Sequence, residues 1–302
     1  MSENMSENTS ENSTGNIEEL ESTIDMLTME LAQSFYQTVQ ILATIVSTHN
    51  IYYEGSHSRF VSQKSAQVAK VLGMNETEVY EIKVAGLLHD IGKIGFRDTI
   101  QSKFVGEMKG NEYQQYIMHP TFGKQFLKLH NGFDTIGDII LQHHEKLDGS
   151  GFPLHLQGKE INPQSAIICI VDTFHNAVYK KQKETQGQMK FTSAVAYLDA
   201  SKNRFNSSLN YLNSKAGVLF DRTVVKVFVD IIEAERRGVG EKTVMRLPVS
   251  KLKPGMLFAE DIVTSYGLVL CYAGETVTDD ILQSLMNTSR WHEIPPKILV
   301  MK

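Results

Sequence analysis

The chain has 302 residues, of which 41% are hydrophobic and 22% charged, with a net charge of −5. This is the composition of a globular protein with room for one large domain and a small one. The acidic balance and the lack of a long basic stretch exclude a nucleic acid polymer as the expected partner. No apolar run approaches the ~20 residues of a membrane span.

Residues 1–16 read MSEN MSEN TSEN STGN, an imperfect four-residue repeat whose only large apolar residues are methionines. Such a segment buries too little surface to offset its ordering entropy, so a disordered tail is expected. Residues 17–50 lack proline and glycine, and Leu20, Ile24, Leu27, Leu31 and Phe35 recur at three- and four-residue steps. That spacing predicts an amphipathic N-terminal helix, and its heptad-like register makes it a candidate homodimer contact. From 51 to 237 the pattern is helix after helix. Asn75 with Glu78 reads as a capping box for the helix ending near Asp90. The apolar run Ala166–Val171 has a polar continuation on one helical face and is expected to be helical. Met118, Phe122 and Phe126 are expected in the core.

Composition shifts after the charged linker Glu235–Lys242. Short alternating segments follow at Met245–Val249, Asp261–Ser265, Leu268–Tyr272 and Ile298–Met301. With turns at Pro254-Gly255, Tyr266-Gly267 and Gly274, and one helix from Asp279 capped by Thr278, they predict a small β-rich module over 243–302. The fold class expected for the whole is mainly α, a helical bundle with this appendage. Cys169 and Cys271 lie far apart in apolar runs, so buried thiols in a reducing cytoplasm are expected.

Several histidines interrupt apolar faces. Val79, Ile82 and Gly86 share a helical face that ends on His89, followed by Asp90. Ile139 and Ile140 precede His143 and His144 by three or four residues, and Ile168 precedes Asp172 by four. His119 stands before Pro120, which should end or kink its helix there. A buried histidine or carboxylate is costly unless paired or coordinated. A single inward histidine is usually a hydrogen-bonded core residue, whereas five with two aspartates suit a pair of divalent first-row metals.

Four motifs carry a family resemblance: His57-Ser58-Arg59-Phe60; Leu87-Leu88-His89-Asp90-Ile91-Gly92-Lys93; His119-Pro120 with Gly123; and His143-His144-Glu145 with Asp148-Gly149-Ser150-Gly151-Phe152-Pro153. In order and spacing the chain resembles the HD-GYP family, HD-domain metal-dependent phosphohydrolases that cleave cyclic di-GMP in bacterial signalling. The resemblance implies an HD-type helical bundle over about 35–235. It implies one metal held by His57, His89, Asp90 and Asp172. Asp90 would bridge to a second metal held by His119, His143 and His144, the two ions being iron or manganese. Lys93 would contact the scissile phosphate, and a metal-activated water would attack phosphorus. Glu145 and Asp148 would orient the histidines. A sensor that binds ligand or a signalling-protein partner without turnover, or a hydrolase of another nucleotide, is the competing reading.

The chain departs from the family pattern at four places. Phe152 stands for the name-giving tyrosine. Tyr53 stands where some members carry a glutamate for a third metal, so two metals are expected. His175 replaces a second acidic residue and is a candidate for phosphate contact, metal ligation or packing. Lys180-Lys181 replaces an arginine that holds phosphate, which makes Lys181 a candidate substrate contact that keeps the charge and loses the bidentate fork.

Overall fold

The computed structural model describes residues 4–49, 57–129, 132–180, 194–239, 244–260, 262–265, 269–271, 277, 279–289 and 294–301. The chain divides into two compact units, residues 1–42 and 43–302. The first is helical, α1 (Asn4–His49) running through it. This helix starts inside the 1–16 segment expected to be a tail. No proline interrupts it, and a helix once nucleated propagates at little cost per residue. Leu20, Ile24, Leu27 and Leu31 are all exposed on it, Leu31 to 72%.

The second unit is built around α7 (Pro163–Tyr179), in which the run Ile167, Ile168, Ile170 and Val171 is buried on all faces while Ala177 near the end is exposed. Its start is fixed by Pro163 in the first turn and by Asn162, whose side chain accepts from the Gln164 amide at 2.8 Å. Around it pack α2 (His57–Val71), α8 (Ala194–Lys215) and α9 (Arg222–Val239). α3 (Glu76–Leu88) lies against α2, α7 and α6 (Asp134–Gln142), and α6 lies against α5 (Asn111–Leu127). A short α4 (Asp98–Gln101) follows the turn after Asp90. The expected capping box opens α3: Asn75 Oδ1 accepts from the Glu78 amide at 3.0 Å, and Glu78 Oε2 accepts from the Asn75 amide at 2.8 Å. Gly86 lets α3 press on α2, since a Cβ there would lie 2.6 Å from Ser62 Cα. Buried side chains such as Val61, Ile82, Leu88, Ile139, Phe174, Leu212 and Phe228 each contribute about 1.5–3 kcal/mol.

α5 bears on two expectations. Of the end or kink expected at His119-Pro120, the end does not occur, and the helix continues past Pro120 to Leu127. Met118 and Phe126 are not core residues but sit on its solvent side. The C-terminal module is as expected in kind. β1 (Val244–Leu247), β5 (Ile298–Met301) and β2 (Leu257–Phe258) form an antiparallel sheet in the order β1-β5-β2, with Leu247 opposite Ile298 and Phe258 opposite Val300. β3 (Ile262–Val263) and β4 (Val269–Cys271) form a second antiparallel pair, and α10 (Asp279–Ser289) completes the module over Phe258, Leu285, Ile298 and Val300. β2 escapes the sequence pattern because two residues are too few to alternate. Thr278 lies outside the described residues. Among the described residues no helix is long and apolar enough to cross a membrane.

Candidate metal centre

The motif residues arrive at one place from five helices. His57 opens α2, His89 and Asp90 follow the end of α3, His119 sits mid-way along α5, His143 and His144 follow α6, and Asp172 lies mid-way along α7. Their donor atoms form two groups, His57 with His89 and Asp90, and His119 with His143 and His144, each with its ligand atoms within 4.8 Å of one another. Asp90 joins them: its Oδ2 is 3.6 Å from His57 Nε2, and its Oδ1 is 3.4 Å from His89 Nε2 and 3.6 Å from His119 Nε2. Asp172 Oδ1 lies 3.1 Å from His57 Nε2 and 3.6 Å from His89 Nε2, with Oδ2 3.9 Å from His144 Nδ1. Asn176 Nδ2 donates to Asp172 Oδ1 at 2.8 Å and holds that carboxylate in place.

The ring orientations follow from backbone acceptors. His89 Nδ1 faces Gly86 O at 2.9 Å, His119 Nδ1 faces Tyr116 O at 2.6 Å, and His143 Nδ1 faces Ile140 O at 2.6 Å. A carbonyl only accepts, so each Nδ1 carries the proton and each Nε2 presents a lone pair. Gly86 and Ile140 lie in the last turns of α3 and α6, where carbonyls run short of helical N–H partners; Ile140 O takes the His143 amide as well, at 3.4 Å. Tyr116 is mid-helix, but the residue four places on is Pro120, which has no N–H to give. Pro120 thus frees the acceptor that orients His119. This is why its place beside His119 matters although the helix continues.

His119 Nε2 and His143 Nε2 then face each other as two acceptors at 3.3 Å, a contact that no hydrogen bond explains. Asp90 Oδ2 and His144 Nε2 are buried without a hydrogen bond, and Asp90 Oδ1 has the Lys93 ammonium at 2.7 Å. Burial lowers the His119, His144 and His57 pKa values and takes His143 down to about 4, so these rings resist a proton. Burial works against charge on Asp90 as well, but His89 and Lys93 outweigh it and hold the carboxyl well below its usual range. His89 alone is raised, Asp90 and Asp172 overcoming its burial. Convergent lone pairs and two ionised carboxylates, with most of the rings resisting a proton, fit divalent cations.

The surrounding residues are distinct in task. Lys93 Nζ lies 2.7 Å from Asp90 Oδ1 and 5.2 Å from the centre of the Tyr116 ring. Lys93, Tyr116 and Lys180 line one narrow cleft. Lys180 Nζ donates to Lys103 O at 2.7 Å, and burial, then Lys93, brings its pKa down to about 8. Lys181, like Tyr53, lies outside the described residues. Phe152 packs against His144 in a tilted pair with ring centres 4.6 Å apart. Glu145 orients no histidine: it is buried and accepts from the Leu154 and Leu156 amides at 2.6 and 3.0 Å, which pins the loop. Asp148 is exposed and closes the turn by accepting from the Ser150 amide at 2.9 Å. Gly151 permits the loop to pass, since a Cβ would meet Glu145 Cα at 2.4 Å. His175 is buried behind His57, its Nδ1 3.0 Å from His57 Nδ1, rather than lining the cleft. Sequence reasoning missed Tyr116, which packs on His119, and gave Phe60 only as a motif residue, with no place for its ring against His175. The only signal for Tyr116 was its helical phase with His119.

The HD domain family matches residues 21–209. A cyclic di-GMP phosphodiesterase of Thermotoga maritima is 28% identical over 74% of this chain and 58% of its own length. The cyclic di-GMP phosphodiesterase response regulator RpfG of Xanthomonas campestris pv. campestris is 34% identical over 51% of this chain and 41% of its own. A 3'3'-cGAMP-specific phosphodiesterase 1 of Vibrio cholerae is 34% identical over 44% of this chain and 31% of its own. The chain therefore spans between 31% and 58% of the length of these relatives.

Proposed function

The chain belongs to the HD domain family, and from that premise we propose that it is a metal-dependent phosphodiesterase that hydrolyses cyclic di-GMP in second-messenger signalling. The observation that carries this reading is the pair of imidazole acceptors facing each other at 3.3 Å beside a buried, ionised Asp90. Relatives named for cyclic di-GMP and for 3'3'-cGAMP support a cyclic dinucleotide as the substrate class.

In this reading His57, His89, Asp90 and Asp172 hold one ion, and Asp90, His119, His143 and His144 hold the other. Imidazole nitrogen with carboxylate oxygen suits iron or manganese. When bound, such ions supply Lewis acidity and lower the pKa of water. Asp90 gives one carboxylate to both groups. Lys93, held over Tyr116, offers a cation to a phosphate oxygen on the cleft side, with Lys180 on the same cleft; Lys181 stays an expected substrate contact from the sequence. Phe152 keeps the His144 ring in place. The reaction is hydrolysis: a water oxygen bonds to phosphorus, the ribose P–O bond breaks, and the departing ribose oxygen takes up the proton the water gives.

Two free, buried cysteines support a cytoplasmic setting. The exposed stripe Leu20, Ile24, Leu27 and Leu31 supports a homodimer through α1. The deciding experiment is anaerobic purification, metal quantification, and chromatography after incubation with cyclic di-GMP or 3'3'-cGAMP. About two metals per chain with a linear or mononucleotide product is the expected result. Metal without turnover of either would replace the enzyme by a ligand-binding sensor, and a chain that takes up no metal would overturn the metal-centre reading.

A further inference from the structure

Three histidines of the centre are oriented by backbone carbonyls three residues earlier, at 2.9, 2.6 and 2.6 Å. His57 is oriented differently. Its Nδ1 faces the Nδ1 of His175, a side chain on another helix, at 3.0 Å. Its Nε2 faces the site, 3.0 Å from His89 Nε2 and 3.1 Å from Asp172 Oδ1. His175 is itself held in an aromatic box: its ring centre lies 4.7 Å from that of Phe60, 4.7 Å from that of Tyr179 and 4.8 Å from that of His57.

Two ring nitrogens at 3.0 Å share one hydrogen, and its placement decides what His57 can do. If His175 donates, the His57 proton sits on Nε2 and points at Asp172, and that nitrogen cannot ligate a metal. If His57 donates, its Nδ1–H goes to His175, and Nε2 turns a lone pair to the site alongside those of His89 and Asp90. We propose that His175 is a positioning residue for His57, accepting the His57 Nδ1–H at its own Nδ1 and so fixing the ring and tautomer in which Nε2 is a ligand. His175 then neither touches phosphate nor binds metal. It does from α7 what the Gly86, Tyr116 and Ile140 carbonyls do for the other three rings. Residues that orient a metal-binding histidine in this way typically alter affinity 10–100-fold when removed.

The inference rests on the metal-centre reading, and its test uses metal alone. The full chain, stripped of metal, is titrated with manganese(II) against a fluorescent chelator for the wild type and for His175→Leu, His175→Asn and His175→Asp. Leucine keeps the bulk without an acceptor. Asparagine and aspartate place an oxygen near the former Nδ1. Leucine should weaken manganese binding about 10–100-fold, asparagine should stay within a few-fold of wild type, and aspartate should bind at least as tightly as asparagine. Long-range proton–nitrogen spectra of the zinc-loaded wild type should show the His57 proton on Nδ1. Wild-type affinity in the leucine variant would reduce His175 to packing. Equal losses in the leucine and asparagine variants would make it a ligand, and a raised KM for cyclic di-GMP with unchanged metal affinity would make it a phosphate contact. Each of these overturns the proposal. If the leucine variant fails to fold, aspartate binding more weakly than asparagine overturns it as well. A wild type that binds no manganese would instead sink the reading of the centre itself.

Discussion

Gly92 is the position at which a single methyl group should separate the two halves of the centre. It lies in the helical turn Ile91–Lys93 directly after Asp90, where α5 crosses. A Cβ at Gly92 would sit 1.9 Å from His119 O, 2.7 Å from Gly123 N and 2.9 Å from His119 C, whereas real Cβ contacts below 3.0 Å essentially do not occur. All three neighbours are backbone, so no rotamer change relieves the overlap. α5 must retreat by about 1.1 Å, the difference between 3.0 and 1.9 Å. Overpacking of this kind costs about 3 kcal/mol when the backbone itself has to yield. A shift of about 1 Å between catalytic groups costs on the order of 100-fold in rate. Because Asp90 and His119 move apart together, Gly92→Ala should lose both stability and metal affinity. Gly95→Ala is the control: φ there is +89°, but no atom lies within 4 Å of a new Cβ, leaving only about 1–2 kcal/mol of left-handed strain. Urea unfolding and manganese titration of both variants read the outcome. If Gly92→Ala unfolds like Gly95→Ala and binds manganese like the wild type, the Asp90 turn is not docked on α5 in the way argued.

Other expectations follow from the same geometry. In chelator-treated protein, burial holds the pKa values of His57, His119, His144 and His175 below the ordinary histidine range and that of His143 at about 4. Each is neutral when folded and charges more readily when unfolded. Stability should therefore be full above about pH 6.5 and fall toward pH 4, by about 1.4 kcal/mol per pH unit for each proton taken up. His89, with its raised value, offsets one such proton, and Asp90 and Asp172 act only below the usual carboxylate range; a urea midpoint that rises from pH 7 to pH 5 would contradict this. Pro120→Ala restores an N–H that competes for Tyr116 O, so it should raise thermal stability while weakening manganese binding, since an interior proline costs a helix about 3 kcal/mol. A parallel rise or fall of the two would refute the role given to Tyr116 O. Finally, no lysine or arginine precedes Arg59, so a dimer through α1 brings like charges together and should tighten with salt in sedimentation experiments. Dissociation by salt would point instead to a basic partner.

The helical bundle and the convergence of these histidines and aspartates were legible in the sequence for one physical reason. His89, His143 and Asp172 each end or break an apolar face, and a polar group there requires a partner. What was not legible depended on contacts between distant segments. Glu145 looked like a prop for its neighbours and instead binds the amides of Leu154 and Leu156. His175 lies on the same helix as Asp172 and so looked like a group facing the cleft, but Phe60, Tyr179 and His57 enclose it on the far side of the ring it supports. The two-residue strand β2 exists only through its pairing with β5.

His119-Pro120 is the instructive case, because the sequence held the signal and the local rule misread it. A residue before proline is biased away from helical geometry, which led to an expected end or kink of the helix. The larger consequence lies four residues before the proline, at the carbonyl of Tyr116, which loses its helical donor. His89 and His143 find their acceptors by standing just past a helix end, where carbonyls are left over in any case. A histidine in the middle of a helix has no such acceptor unless something removes a donor, and a proline directly after it does so at the carbonyl three residues back. α5 could therefore carry a metal-type histidine through the bundle interior without ending. A Cβ at Gly92 would meet His119 O and Gly123 N, so the turn that carries Asp90 and the helix that carries His119 press together backbone to backbone.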